Sequence, residues 1–241
     1  MNFNSFFNIL LFFIVTNVVY SQPGHTFVNL NNGIGDYIII DSTTNLNKIE
    51  ILKEKKQLRL IINLREIPTQ FKNFESLERL TIQSDNLLTD LSALNYFTNL
   101  KELIIFRYSG ESISFKKLKL DSLKSIRITD AFNLKNIDAL TDLPLLEELT
   151  ITHTPNIEKF PKFNTHNQIK TLVIDYVNDR RKKAFNNYLK NIKHLTKLES
   201  VTLGNIKGIN KIPDFLPPSI SYLEINGWSQ EHWNGEKIEI N

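Results

Sequence analysis

The stretch LEELTITHTPNIEKFPKF, residues 146–163, carries large apolar residues at intervals of three, two, six, three and three positions. They are Leu146, Leu149, Ile151, Ile157, Phe160 and Phe163. A helix would repeat its apolar residues every three to four positions throughout, and a half-buried strand would repeat them at every second position. The stretch therefore predicts a unit in which one short strand is followed by a return segment of a different kind.

The first half of this unit recurs along most of the chain. Its three-two spacing begins at Leu77, Leu100, Leu123, Leu146, Ile169, Leu198 and Ile220, and an earlier partial copy lies at Leu60 and Ile62. The first four steps are 23 residues each, and the last two are 29 and 22 residues. Self-similarity at this period is typical of a solenoid, in which each repeat buries its apolar residues against its neighbours.

The second half of the unit repeats as well. Leu134, Ile137 and Leu140 match Ile157, Phe160 and Phe163, as do Leu88, Leu91 and Leu94, and Ile209, Ile212 and Phe215. Asn133, Asn156 and Gly208 directly precede three of these runs. Because these residue types tolerate a left-handed backbone, we predict a turn at each of these positions.

The pattern LxxLxL resembles that of the leucine-rich repeat family over about residues 57–226. The resemblance implies an α/β solenoid: a right-handed superhelix with a parallel concave β-sheet and a mostly irregular or 3₁₀ convex side. The chain departs from the family pattern at the asparagine that usually follows the last strand leucine by three residues. The residues at that position here are Asp85, Tyr108, Ala131, Thr154, Val177, Ile206 and Trp228.

The first 21 residues differ from the rest of the chain and predict a secretory signal peptide. They contain no charged side chain and hold an apolar run of about fifteen residues, shorter than the roughly twenty that a spanning helix needs. Val19 and Ser21 have the small-residue spacing of a cleavage site. We therefore expect export to the periplasm, the cell surface or the medium, with no stable membrane span after cleavage. The alternatives are an uncleaved anchor and a buried helix.

The remaining chain is expected to divide into an N-terminal cap at 22–56, repeats at 57–226 and a C-terminal cap at 227–241. A strand at Tyr37–Ile40 would cover the first repeat, and a hairpin at Asn234-Gly235 would help close the last one together with Trp228, Trp233, Ile238 and Ile240. The chain contains no cysteine, so these caps form without disulfides. Animal and plant extracellular members usually have them, and their absence here favours a secreted member of bacterial or protist type.

The 29-residue repeat contains an insertion with a basic helical pattern. Ala184, Phe185, Tyr188, Leu189 and Ile192 fall on one helical face, and Arg180, Arg181, Lys182, Lys183, Lys190 and Lys193 lie around it. The insertion fits either a convex-side helix with a solvated face or a basic patch for an acidic partner. We favour the first interpretation.

The strand alternation predicts which side chains face outward on the concave sheet, the usual binding surface of the family. Most are small or polar. The exceptions and their neighbours are the candidate partner-binding residues: Ile104, Phe106, Tyr108, Arg127, Thr150, Val173, Asp175 and Tyr176. Exposed apolar side chains beside an arginine are typical of an interface hot spot. The alternative is that isoleucine, valine and phenylalanine simply suit any strand.

No motif predicts catalytic, cofactor-binding or metal-binding residues. The five histidines are scattered, and neither an HExxH nor a phosphate-binding glycine loop is present. The formal net charge of +3 does not indicate nucleic-acid binding. We expect a monomeric, non-enzymatic protein that binds a macromolecule, by default a protein. A surface adhesin or glycan-binding module is the alternative, ahead of a structural protein or an enzyme accessory.

Overall fold

The computed structural model describes residues 37–84, 87–113, 120–163, 168–175, 189–205, 216–225 and 228–231 of the 241-residue chain. The predicted signal peptide, Tyr176, most of the basic insertion, Gly208 and the predicted hairpin at Asn234-Gly235 lie outside these residues. Within the described ranges, no helix has the length and apolar character needed to cross a membrane.

Ten short strands form one sheet. They are β1 (Ile38–Ile40), β2 (Gln57–Ile62), β3 (Arg79–Ser84), β4 (Glu102–Phe106), β5 (Ser125–Thr129), β6 (Glu148–Thr152), β7 (Thr171–Asp175), β8 (Ser200–Gly204), β9 (Tyr222–Ile225) and β10 (Trp228–Glu231). Their order in the sheet is their order in the chain. All neighbouring pairs are parallel except β9 and β10, which are antiparallel. This arrangement is the open α/β solenoid that the repeat predicts.

Alternation within each strand builds the core. The second and fourth residues of β4 to β8 are apolar and fully buried, as in Leu149 and Ile151 of β6, whereas the residues between them keep contact with solvent. The register aligns these pairs, so that Leu149 lies between Ile126 and Leu172. Each repeat thus buries its leucines against both neighbours, which a single repeat cannot do.

The return segments contain single 3₁₀ turns. These run from Leu46 to Leu52, Thr69 to Asn73, Ser92 to Tyr96, Asp138 to Asp142 and Lys190 to His194. Two of them bring buried rings into the core, either within the turn or directly after it. Phe71 lies edge-on to Phe74 at 4.9 Å between ring centroids and to Phe97 at 6.5 Å. The described part of the insertion, Leu189 and Ile192, is fully buried, whereas Lys190 and Lys193 are exposed.

The left-handed turns of the repeat lie directly after the strands. Arg107, Asp130, His153 and Asn205 have positive φ angles of 56°, 57°, 50° and 49°. Asn133 and Asn156 each lie in a turn, as predicted. Among the described residues other than glycine no further positive φ occurs, so the backbone at these two asparagines is not left-handed. Those two asparagines instead donate side-chain hydrogen bonds to Ser109 and Phe132 carbonyls, one repeat earlier.

Strands at both ends extend the repeat sheet. β1 pairs in parallel with β2, at the place predicted for a covering strand. At the other end β10 pairs antiparallel with β9, with Trp228 opposite Ile225. The described sheet thus ends in one antiparallel pair.

Candidate functional site

The concave face consists of three rows of outward side chains that the parallel register aligns. The middle row contains Arg59, Thr81, Ile104, Arg127, Thr150, Val173, Thr202 and Glu224. The row at the carboxyl ends of the strands contains Ile39, Ile61, Gln83, Phe106, Thr129, Thr152, Asp175 and Gly204. The row at the amino ends contains Gln57, Arg79, Glu102, Ser125, Glu148, Thr171, Ser200 and Tyr222.

Six of the eight predicted site residues lie on this face. Ile104, Arg127, Thr150 and Val173 are consecutive members of the middle row, and Phe106 and Asp175 belong to the carboxyl-end row. Arg127 is exposed and the other five are half-buried. Strand alternation is sufficient to predict this grouping, because outward residues of aligned strands must share a face.

Tyr108 does not lie on the concave face, contrary to the sequence prediction. It is 3% exposed, and its hydroxyl donates a hydrogen bond to the Thr89 carbonyl at 2.7 Å. The left-handed turn at Arg107 ends the strand, and the residue after it enters the core. Burial, with a smaller effect from the charge of Asp90, raises the pKa of Tyr108 to about 12.

Ala131 and Thr154 occupy the same repeat position as Tyr108, and both are fully buried. This is the position where the family usually has asparagine. Three different buried side chains therefore replace a uniform ladder here. The hydroxyl of Thr154 has no hydrogen-bond partner among the described residues.

The arginines of the concave face differ in their pairing. Arg79 forms an ion pair with Glu102 on the next strand. Within the part of the chain that the structure describes, neither Arg59 nor Arg127 has an ion pair or a side-chain hydrogen bond. Two guanidinium groups on this face thus keep their full capacity to bind a carboxylate.

Three residues of the same surface are absent from the predicted partner-binding set. Arg59 and Ile61 are outward residues of β2, and Ile61 is half-buried. Ile39 of β1 aligns with Ile61 and is 41% exposed. The alternation in β2 was a usable signal for the first two residues. Ile39 joins the face only through the register of β1 with β2, which the repeat spacing does not specify.

Polar contacts order the carboxyl-end row beyond β4. The hydroxyls of Thr129 and Thr152 lie 2.9 Å apart, within hydrogen-bond distance. Asn205 donates to the Asp175 carboxylate at 2.7 Å. That carboxylate occupies the space above Gly204, where a Cβ would collide with it. Asp175 is therefore held in place on the face.

A column of lysines and glutamates precedes the strands at the opposite edge. Lys56, Glu78, Lys101, Lys124, Glu147, Lys170 and Glu199 are its members. The Nζ of Lys170 lies 2.9 Å from the Glu147 carboxylate, and this contact, followed by the charge of Lys124, holds the pKa of Glu147 below its usual value. Such exposed pairs contribute little each, so the column orders this edge of the sheet and provides no reactive group.

Metal-binding geometry does not occur on the described residues. In the ranges that the structure covers, no three histidine, aspartate or glutamate side chains converge as a metal ion would require. The Asp130 carboxylate oxygen and the His153 Nδ1 lie 3.9 Å apart. The concave face carries ionic, apolar and hydroxyl groups side by side.

The chain is similar to two solved leucine-rich repeat structures, and the first of them shares its fold. The leucine-rich repeat domain of the type III effector XopL is 18% identical, with 78% of this chain and 75% of that chain covered and a TM-score of 0.52. An internalin from Listeria monocytogenes is 17% identical, with 76% of this chain and 57% of that chain covered and a TM-score of 0.44. No curated protein matches this chain.

The family model for R13L1/DRL21 leucine-rich repeats matches residues 29–154, more than half of the 241 residues. The matched range includes β1 to β6 and with them the part of the concave face that carries Arg59, Ile104, Phe106 and Arg127. The sequence repeat, the single parallel sheet and this match agree. The chain belongs to the leucine-rich repeat family, of the type described as R13L1/DRL21.

Proposed function

We propose that this chain binds a protein partner through its concave face. Leucine-rich repeat domains are protein-interaction modules, because stacked repeats create extended concave surfaces. The observation that carries the proposal is the middle row, in which Ile104 and Val173 remain half-buried among polar neighbours. A partner that covers these side chains gains the free energy of removing apolar surface from water.

The size of the face supports a protein ligand. Eight strands, β2 to β9, spaced about 4.8 Å apart, give a length of about 38 Å. With a width of about 15 Å, the area is roughly 600 Å², close to the roughly 800 Å² that one partner contributes to a standard interface. A partner that follows the three rows would therefore form an interface of ordinary size.

A glycan ligand has less support from the described residues. Sugar binding by stacking needs several aromatic side chains close together. On the outward positions of β2 to β9, the aromatic residues are Phe106 and Tyr222. They lie on β4 and β9, about 24 Å apart at the ordinary strand spacing. This separation is too large for adjacent rings of one short glycan.

A site-specific photo-cross-linking experiment tests the proposal. A photoreactive amino acid is placed at Thr150 in the middle row, and in a matched control at Leu145, which is 46% exposed in the turn before the same strand. After irradiation in an extract of the native host, we expect a specific protein adduct at Thr150 and none at Leu145. Equal adducts from both positions, or adducts from Leu145 alone, would contradict binding through the concave face.

The basic insertion provides the competing binding site. Arg180→Glu together with Lys183→Glu reverses two charges there and leaves the concave face unchanged. If this double variant loses the Thr150 adduct while Phe106→Ala keeps it, the insertion binds the partner. If Phe106→Ala loses the adduct and the double variant keeps it, the concave face does.

We also propose that the protein is exported before it binds. The support is the uncharged apolar segment that ends at Val19, Tyr20 and Ser21. Protein isolated from the native host should begin at Gln22 or Pro23 when its N-terminus is sequenced. An intact Met1 on protein from the cytosol would contradict export.

A further inference from the structure

We propose that strands β2 to β5 recognise an extended acidic segment of the partner, in which two carboxylate side chains flank one large apolar side chain. This inference rests on the proposed function and specifies the partner's chemistry. The surface concerned, named here the arginine-flanked strip, consists of Arg59, Ile61, Ile104, Phe106 and Arg127. It lies in one half of the concave face.

The two arginines at the ends of the strip are suited to bind anionic groups. Arg59 and Arg127 have no ion pair or side-chain hydrogen bond within the described residues. Arg79, which lies between them along the sheet, is neutralised by Glu102. Guanidinium groups bind carboxylates with two parallel hydrogen bonds. The strip therefore offers two separate carboxylate sites and not one continuous basic surface.

The centre of the strip is apolar. Ile104 is the direct neighbour of Arg127 in the middle row, and Phe106 lies two residues further along the same strand. Ile61 likewise lies two residues after Arg59 on β2. All three apolar side chains are half-buried. A large apolar side chain placed among them would lose its contact with water and would also remove water from the two adjoining ion pairs, which strengthens them.

The spacing of the arginines fits an extended chain. Arg59 on β2 and Arg127 on β5 are three strands apart in the same row, or about 14 Å. In an extended segment, side chains at positions i, i+2 and i+4 project from the same face, and the outer two are about 13 Å apart. An acidic-x-apolar-x-acidic segment that crosses the strands therefore places one carboxylate at each arginine and the apolar residue at Ile104 and Phe106.

Charge also determines which half of the face accepts such a segment. The outward positions of β2 to β5 carry three arginines and one glutamate, a formal charge of +2. Those of β6 to β9 carry Glu148, Asp175 and Glu224, a formal charge of −3. An acidic segment is attracted to the first half and repelled from the second, so the polarity of the face fixes where along the solenoid it binds.

A displayed library of random peptides, selected on the full chain, tests the inference. We expect the enriched peptides to share two Asp or Glu residues four positions apart with Leu, Ile, Phe or Met midway. The most enriched peptide is then synthesised with a fluorescent label, and its affinity is measured by fluorescence anisotropy. Its affinity should fall as sodium chloride rises, because both ion pairs are screened.

Matched variants identify the contact residues. Arg59→Gln, Arg127→Gln and Phe106→Ala should each weaken binding of the labelled peptide about tenfold or more, as expected when an interface anchor is removed. The controls are Arg65→Gln and Phe132→Ala, which change exposed residues of the same types away from the sheet face. These should leave the affinity unchanged. Circular dichroism of all five variants checks that the fold persists.

Other outcomes overturn the inference and separate it from the proposed function. One such outcome is a set of enriched peptides that lack the acidic pair and still lose affinity when Thr150→Arg is introduced. That result would contradict the acidic-segment inference and leave binding through the concave face supported. Peptides whose affinity is unchanged by every concave substitution would contradict both the acidic-segment inference and the proposed function. If no sequence is enriched, the strip is not a peptide site. Concentration-dependent dimers of the protein alone, abolished by Arg127→Gln, would assign the strip to a second copy of the chain.

Discussion

The phenol ring of Tyr108 occupies the space that a side chain at Gly110 would need. The Tyr108 hydroxyl oxygen and Cζ are the atoms that a Cβ on Gly110 would meet first. The ring has little freedom to withdraw, because it is buried and its hydroxyl is held by the Thr89 carbonyl at 2.7 Å. Glycine at position 110 is therefore a condition for the buried tyrosine.

Gly110→Ala should destabilise the protein by about 1–3 kcal/mol, as overpacking of a filled core site does. The measurement is the free energy of unfolding in urea. In a Tyr108→Ala background the same substitution should cost much less, because the ring that it meets is gone. Equal costs in the two backgrounds would mean that the two residues do not share this space.

Tyr108→Phe should lower the free energy of unfolding at neutral pH. It should also change how that free energy varies with pH in the alkaline range. At neutral pH the loss of a buried hydrogen bond, which leaves the Thr89 carbonyl unpaired, should cost about 1–2 kcal/mol. The folded pKa of about 12 exceeds the ordinary value of 10, so folding favours the protonated phenol. That contribution is complete below pH 10 and is lost as the pH rises from 10 towards 12.

Urea unfolding at a series of alkaline pH values measures this effect. The wild-type protein should lose stability relative to Tyr108→Phe across that interval, so that the difference between the two narrows. A constant difference between Tyr108→Phe and the wild type would contradict the raised pKa.

Two buried hydroxyls should respond in opposite ways to removal. The Thr154 hydroxyl has no partner among the described residues, so Thr154→Val should stabilise the protein by about 1 kcal/mol at nearly constant volume. The Ser84 hydroxyl accepts hydrogen bonds from the backbone N–H groups of Leu87 and Leu88. Ser84→Ala should therefore destabilise by about 1–3 kcal/mol. The same sign for both variants in urea unfolding would contradict this assignment of partners.

The alternation of β6 predicts that substitutions at two adjacent residues differ greatly in their effect on the free energy of unfolding. Leu149 is fully buried, whereas Thr150 faces the concave side and is half-buried. Leu149→Ala should cost about 2–5 kcal/mol through lost burial and a cavity, and Thr150→Ala should cost well under about 1 kcal/mol. The unfolding midpoints in urea measure both. Similar costs would mean that the assignment of inward and outward residues in β6 is wrong.

The charge column predicts a local titration effect. The contact with Lys170 is the main cause of the lowered pKa of Glu147, and the charge of Lys124 adds to it. Lys170→Ala should therefore raise that pKa towards its ordinary value, measured by NMR from the Glu147 side-chain carboxyl carbon. Lys124→Ala should raise it by less. If Lys170→Ala leaves the titration unchanged, the ion pair does not form in solution.

The repeat spacing predicts the core and the outward rows well. Leu149 and Ile151 are buried and Thr150 is outward, because a parallel strand within a solenoid has one permitted phase and a shift of one residue would expose its leucines. The same alternation predicts that Ile104, Arg127 and Val173 share a face. Local periodicity carries this information because each repeat meets neighbours with the same pattern.

The burial of Tyr108 could not be predicted from the repeat spacing. The residue follows its strand by two positions, and alternation assigns it to the edge of the sheet. Its burial depends on the left-handed turn at Arg107 and on the space above Gly110. Both are properties of one particular turn and its packing, and the repeat pattern contains no signal for either.

The sequence alone determined the solenoid, its strand phase and the face on which a partner is expected, because these follow from apolar spacing that recurs in every repeat. Only the tertiary structure decided which further residue joins that face and which of its charged groups are already paired. Pairing of β1 with β2 brings Ile39 beside Ile61, and the ion pair of Arg79 with Glu102 leaves Arg59 and Arg127 as the arginines without partners on the described face. Such relationships join residues from different repeats, and the register and side-chain contacts that create them exist only once the repeats have stacked.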